Sequence, residues 1–132
     1  MADLRRDSMT PRPKIRVLIV DDSADTAETV AELARSWGHE VVVAQDGPTA
    51  LEVVTGFRPD IALLDIGLPE MNGYELARRL RQISGMETTR LVAMTGYARE
   101  EDRRAAQEAG FSLHLTKPVD PVRLKKLLAT LC

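Results

Sequence analysis

Apolar residues fall in five short, nearly continuous runs, at positions 15 to 20, 41 to 44, 61 to 64, 91 to 94 and 111 to 115. Runs of this length without polar alternation are what strands buried on both faces of a parallel sheet present. Between them the period changes. Ala27, Val30, Ala31 and Ala34 recur at i, i+3, i+4, i+7, as do Ala50, Val53, Val54 and Phe57, and Leu124, Leu127, Leu128 and Leu131, so each set predicts one apolar stripe along a helix. Leu76 and Leu80 give residues 73 to 83 a weaker stripe. The stretch from Arg99 to Glu108 is highly charged, with only Ala98, Ala105, Ala106 and Ala109 to face a core, and is expected to pack least firmly. Gly38, Gly56 and Gly110 stand where left-handed C-terminal caps follow helices, and Asp120-Pro121 reads as an N-cap followed by proline at the first helical position.

Five strands alternating with five helices through short connections predict right-handed crossovers and an open, doubly wound α/β sheet. Ligands of such sheets bind outside the carboxyl ends of the strands, near the point where the strand order reverses. The residues at those ends are therefore the ones to inspect.

The chain has 132 residues, 44% hydrophobic and 29% charged, enough for one domain with a buried core and too few for two. Residues 1 to 14 show no hydrophobic period, contain Pro11 and Pro13, and carry four basic residues against two acidic ones; they are expected to form a mobile tail ahead of a domain at 15 to 132. A net charge of -2 leaves no concentrated excess of Lys and Arg for nucleic acid or an anionic membrane. No apolar run approaches the roughly 18 residues of a membrane span, and no signal-peptide core follows Met1. The lone cysteine, Cys132, fits a reducing compartment. A cytoplasmic protein is expected.

The first strand ends on Asp21-Asp22, the third on Asp65, the fourth on Thr95 and the fifth near Lys117. Each residue alone has an ordinary reading: Asp21, Asp22 and Ser23 as helix caps, Asp65 as a turn acid before Gly67-Leu68-Pro69, Thr95 as a cap, Lys117 as solvated surface. Capping does not require acids on the first and third strands, a hydroxyl on the fourth and a lysine on the fifth. Joint placement points to phosphoryl transfer. A carboxylate can attack phosphorus to give an acyl phosphate, and Asp65, central in the sheet, is the candidate. Carboxylates crowded at about 4 Å repel by roughly 4 kcal/mol per pair at an effective dielectric near 20, which a divalent cation relieves. Magnesium prefers octahedral oxygen coordination, so Asp22 and Asp65 as direct ligands, the Gly67 carbonyl, and Asp21 acting through water would suit it. Lys117 and Thr95 would each pair with a phosphoryl oxygen.

Val20-Asp21-Asp22-Ser23, the segment from Leu64-Asp65 through Gly67-Leu68-Pro69-Glu70-Met71-Asn72-Gly73, Ala93-Met94-Thr95-Gly96 and Leu115-Thr116-Lys117-Pro118 together resemble the signature segments of the receiver domain of bacterial two-component response regulators. The resemblance spans about residues 15 to 131. It implies a CheY-like, flavodoxin-like fold with strand order 2-1-3-4-5, and a histidine kinase or histidine phosphotransfer protein as phosphoryl donor. It also implies Asp65 as phosphoacceptor, Asp21 and Asp22 as the acidic pair, Thr95 as the switch hydroxyl, and a cis Lys117-Pro118 bond. The chain is then no enzyme beyond its own phosphorylation and dephosphorylation.

His114 occupies a position that is usually aromatic in the best-known receivers. Strand alternation sets it opposite Phe111, Leu113 and Leu115, as an exposed strand residue or a rotameric switch. The other imidazole, His39, reads as structural or solvated. With no output domain following Leu131-Cys132, output is expected by contact of the fourth helix, fifth strand and fifth helix with a protein target, or within a hybrid kinase, whose terminal receivers the segment from Gly110 to Asp120 resembles. Two other classes compete. A pseudo-receiver would bind partners and never take phosphate. A phosphatase of the aspartyl-nucleophile type shares the strand-end Asp, Thr and Lys, but usually needs a second Asp where this chain has Gly67.

Overall fold

The computed structural model describes residues 15–68, 71–96 and 100–130, with side chains left aside at 100–103. The expectations placed on residues 1 to 14, Ala98, Leu131 and Cys132 fall outside these residues. Five strands, β1 (Arg16–Val20), β2 (Glu40–Ala44), β3 (Ile61–Asp65), β4 (Arg90–Thr95) and β5 (Leu113–Thr116), alternate with helices α1 (Ala24–Ser36), α2 (Gly47–Phe57), α3 (Gly73–Arg81), α4 (Glu100–Ala109) and α5 (Pro121–Ala129). All neighbouring strands pair in parallel, in the order β2-β1-β3-β4-β5. This is the doubly wound arrangement expected from the sequence.

Successive residues of the inner strands enter two separate cores. Val17, Ile19, Ile61, Leu63, Val92 and Met94 pack with Ala27, Val30, Ala31 and Ala34 of α1 and Leu124 and Leu128 of α5. Leu18, Val20, Ala62, Leu64, Leu91 and Ala93 pack on the other face with Ala50 and Val54 of α2, Leu76, Ala77 and Leu80 of α3, and Ala106 and Ala109 of α4. Every residue of β3 is buried. Each fully buried leucine contributes about 1.5–3 kcal/mol, so Leu63 and Leu64 fasten Asp65 to both layers. Only alanine methyls anchor the described part of α4, in line with its charged sequence.

The helix starts follow the sequence. Ser23, Asp46, Asn72 and Asp120 are N-caps whose side chains accept from backbone N–H groups of the first turn, and Pro121 sits just inside α5. Gly38 and Gly110 are left-handed, with φ of 95° and 108°, as expected of caps. Gly56 is not a cap: α2 continues through Phe57, and Arg58 takes the left-handed turn at φ 52°. The extra residue brings Phe57 to β1, where Arg16 lies 5.8 Å over its ring and donates to its carbonyl at 3.1 Å. The fifth strand is also displaced from its apolar run. Phe111 donates its N–H to Ala106 O and closes α4, and Leu113, on a sheet edge, is 48% exposed rather than inward.

Candidate functional site

The strand order reverses between β1 and β3, and their carboxyl ends lie side by side, with Val20 opposite Leu64. Asp21 and Asp22 follow β1 directly, and Asp65 ends β3, so adjacent strand ends deliver all three acids to one cleft. Carboxylate oxygens of Asp21, Asp22 and Asp65 lie within 4.8 Å of one another. Capping of α1 is performed by Ser23, whose Oγ accepts from Thr26 N, while Asp21 Oδ1 accepts from Ser23 N at 2.9 Å. Asp22 is exposed at the cleft mouth and is not the cap.

Lys117 reaches into this cluster from the loop after β5. Its Nζ lies 2.9 Å from Asp21 Oδ2 and 3.3 Å from Asp65 Oδ2. Asp21 Oδ2 is fully buried and accepts no aligned hydrogen bond, so the 2.9 Å contact compensates it as an ion pair. The backbone of Lys117 is tied to the end of β4. Its N–H donates to Thr95 O at 2.8 Å, and the Lys117-Pro118 bond is cis, as the resemblance implied. Thr95 closes β4 opposite Thr116 and is half-buried, which brings the fourth strand end to the same cleft. Gly67 completes it on the β3 side, its N–H donating to Asp65 Oδ1 at 3.0 Å.

Two acids share one ammonium here, and the electrostatics follow from that ratio. Burial raises the Asp65 carboxyl above its ordinary range; the Gly67 N–H opposes this, the Asp21 charge adds to it, and Lys117 pulls it down again. Burial alone would lower the Lys117 ammonium, but Asp21 and then Asp65 outweigh it and hold the lysine above its ordinary value. The cluster keeps excess negative charge that one lysine does not balance. An all-oxygen donor set with a buried oxygen short of hydrogen bonds fits a hard divalent cation such as magnesium.

The structure thus brings together Asp21, Asp22, Asp65, Gly67, Thr95 and Lys117. His114 lies apart from the carboxylates, within β5 opposite Ala93. It is half-buried rather than exposed, and lines a groove of about 170 Å³ with Ala106, Gln107, Phe111, Ser112 and Leu113. Spacing alone gives no sign of this groove, because it forms where α4 overhangs the sheet edge. His39 is structural: its Nδ1 accepts from Ile15 N at 3.3 Å, and burial lowers its pKa.

The family model for the response regulator receiver domain matches residues 17–129. An uncharacterized 14.6 kDa protein of Leptolyngbya boryana is 40% identical over 116 residues, 88% of each chain. Sporulation initiation phosphotransferase F of Bacillus subtilis is 34% identical over 80% of this chain and 83% of its own. The DNA-binding response regulator MtrA of Mycobacterium tuberculosis is 38% identical over 83% of this chain, which spans only 46% of that protein. Among solved structures, the chemotaxis response regulator CheY4 of Vibrio cholerae superposes with a TM-score of 0.85 at 29% identity, covering 91% of this chain and 100% of that one. The receiver domain of a sensor histidine kinase from Pseudomonas aeruginosa, with magnesium coordinated in its active site cleft, does so with a TM-score of 0.81 at 27% identity, over 89% and 97% of the two chains. With its family model covering nearly the whole sheet and both layers of helices, the chain belongs to the response regulator receiver domains of two-component signalling.

Proposed function

We propose that this receiver takes a phosphoryl group on Asp65 from the phosphohistidine of a histidine kinase or histidine phosphotransfer protein. The observation that carries the reading is the position of Asp65, 7% exposed at the end of the central strand, with Lys117 Nζ 3.3 Å from its Oδ2. A carboxylate oxygen of Asp65 attacks phosphorus, the P–O bond forms as the P–N bond breaks, and the electron pair returns to the imidazole nitrogen, which takes a proton from solvent. The Gly67 N–H fixes one oxygen of Asp65, which leaves Oδ2, the oxygen facing Lys117, as the attacking atom. Lys117 then turns its ammonium to a phosphoryl oxygen, and the Thr95 hydroxyl takes another.

Asp22 and Asp65 would hold magnesium directly, with the Gly67 carbonyl and Asp21 through water; the Pseudomonas neighbour with magnesium in its cleft supports this choice of ion. The bound ion supplies neutralisation of charge on the acids and on the phosphoryl oxygens. Beyond its own phosphorylation and hydrolysis the chain turns over no substrate in this reading. Its output is a change of contacts on the surface of α4, β5 and α5, which carries Leu113, His114 and Val122. Among the described residues no helix is long and apolar enough to cross a membrane, and action in the cytoplasm is part of the proposal.

The test is transfer from phosphorylated histidine kinases and phosphotransfer proteins in the presence of magnesium. Loss of label from one donor with gain on this chain is expected. Retention of label by every donor, together with target binding by the unphosphorylated protein, would favour the pseudo-receiver.

A further inference from the structure

The described parts of the connection from β3 to α3, 66–68 and 71–72, carry Gly67 and meet two helix starts that have no side chain. A Cβ built on Gly73, the first residue of α3, would stand 2.7 Å from Asp65 O, 2.8 Å from Ile66 Cα and 3.1 Å from Ile66 Cδ1. The first turn of α3 therefore rests directly on the Asp65-Ile66 peptide, and Gly73 N–H donates to Ile66 O at 3.0 Å. A Cβ on Gly47, the first residue of α2, would stand 2.8 Å from Met71 Sδ and 3.3 Å from Met71 Cβ. The same connection is thus pressed from a second side. Neither glycine has a positive φ, so neither is required by backbone conformation. Gly56, inside α2, has nothing within 4 Å of a built Cβ.

We infer that Gly73 and Gly47 are positioning residues for phosphorylation of Asp65: bare helix starts that clamp the connection after β3 and so fix the acceptor carboxylate. The inference rests on the reading of Asp65 as acceptor. Asp65 Oδ1 accepts from Gly67 N, two residues along that connection, so the aim of the carboxylate depends on where the connection lies. A methyl group at position 73 meets backbone atoms, which cannot rotate away, and the Asp65-Ile66 peptide or the start of α3 must shift. At position 47 the nearest atoms belong to the flexible side chain of Met71, whose sulfur can swing away while its Cβ at 3.3 Å cannot, so relaxation is partial. The two sites therefore differ in degree, and Gly73 is the stricter. In ordinary helical positions the exchange of glycine for alanine stabilises, which makes a loss of rate at these two sites distinctive.

The experiment follows acyl phosphate formation on the full chain by intact mass, with acetyl phosphate varied at saturating magnesium so that the limiting rate separates from the half-saturating concentration. Urea unfolding monitors the fold. Gly73→Ala is expected to lower the limiting rate by about ten-fold or more while unfolding stays cooperative. Gly47→Ala should lower it several-fold, and Gly47→Ala with Met71→Ala should recover most of the loss. Gly56→Ala should match the parent. Parental rates for both Gly73→Ala and Gly47→Ala would overturn the inference, as would a Gly47→Ala defect that Met71→Ala leaves untouched. If Gly73→Ala does not fold, the Gly47 and Met71 pair decides. Failure of the parent itself to take phosphate would instead defeat the reading of Asp65, and the inference with it.

Discussion

Lys117 stands closer to Asp21 than to Asp65, with its Nζ 2.9 Å from Oδ2 of the former and 3.3 Å from Oδ2 of the latter. The oxygen it serves at Asp21 is buried and accepts no aligned hydrogen bond, so the lysine compensates a buried charge before any phosphoryl group is present. The two partners are not equivalent. Asp21 is fully buried, whereas the Lys117 side chain is 25% exposed and can turn to water. Lys117→Met is therefore expected to cost about 1–3 kcal/mol in magnesium-free urea unfolding, and Asp21→Asn less. Added magnesium should return part of the Lys117→Met loss. A larger loss for Asp21→Asn would mean that the buried carboxylate is held by something other than this lysine.

Magnesium should stabilise the native chain, because only the folded state gathers Asp21, Asp22 and Asp65 within 4.8 Å. The gain is about 2.7 kcal/mol when the free ion is about a hundred times its dissociation constant. Asp22→Ala should remove most of it. Thermal melts with and without magnesium measure this, and equal melting temperatures for the parent would contradict a convergent cation site.

The phosphorylated state is expected to decay slowly. A water attacking the acyl phosphate must be held in line, and Gly67 offers no side chain to hold it. A Cβ at position 67 would meet only Asp65 Oδ1, at 3.8 Å, so a larger residue fits there and lies beside the acceptor. Tyr97, two residues after Thr95 in the sequence, carries a phenol, whose unperturbed pKa near 10 makes it a poor base at neutral pH. Gly67→Asn with Tyr97→Glu should speed loss of phosphate several-fold, as followed by intact mass over time. Unchanged decay would place control of water elsewhere.

Strand ends were legible because a carboxylate that closes an apolar run is visible locally, as at Asp21 and Asp65. The neighbourhood of Lys117 and Asp21 was not visible in that way, since spacing gives no strand order; the order came from the motif resemblance. Two local readings failed for a shared reason. Gly56 looked like a cap and Leu113 like an inward residue, but tertiary contacts overrode the pattern. Phe57 is drawn on toward Arg16, and Leu113 opens the edge strand β5, where it lines the groove beside α4 half-exposed. Of the two readings of His114, the exposed strand residue is not met, because the side chain is half-buried in a groove that depends on α4.

His39 predicts a pH effect that is independent of the cleft. Burial lowers its folded-state pKa below the ordinary 6.5, and its Nδ1 accepts from Ile15 N, which requires the unprotonated ring. Just below pH 6.5 the unfolded chain then binds more protons at this residue than the folded one. Its contribution is fully present above that value and is lost as the pH falls toward the folded-state pKa. His39→Gln, with an amide oxygen to accept from Ile15, should flatten this part of the stability profile relative to the parent in urea titrations across the window. Parallel profiles would show that His39 titrates normally in the fold.

The central claim is that Asp65 is the acceptor, and the most direct measurement maps the modified residue. The parent and Asp65→Asn would each be incubated with acetyl phosphate and magnesium, trapped by reduction of the acyl phosphate, digested and sequenced by mass spectrometry. Asp65→Asn should fold at least as stably as the parent without magnesium, because it removes a buried charge that faces Asp21. The expected result is a single trapped product at Asp65 in the parent and none in Asp65→Asn. Trapped product at Asp21 or Asp22, in either protein, would contradict the assignment and move the nucleophile from β3 to the end of β1.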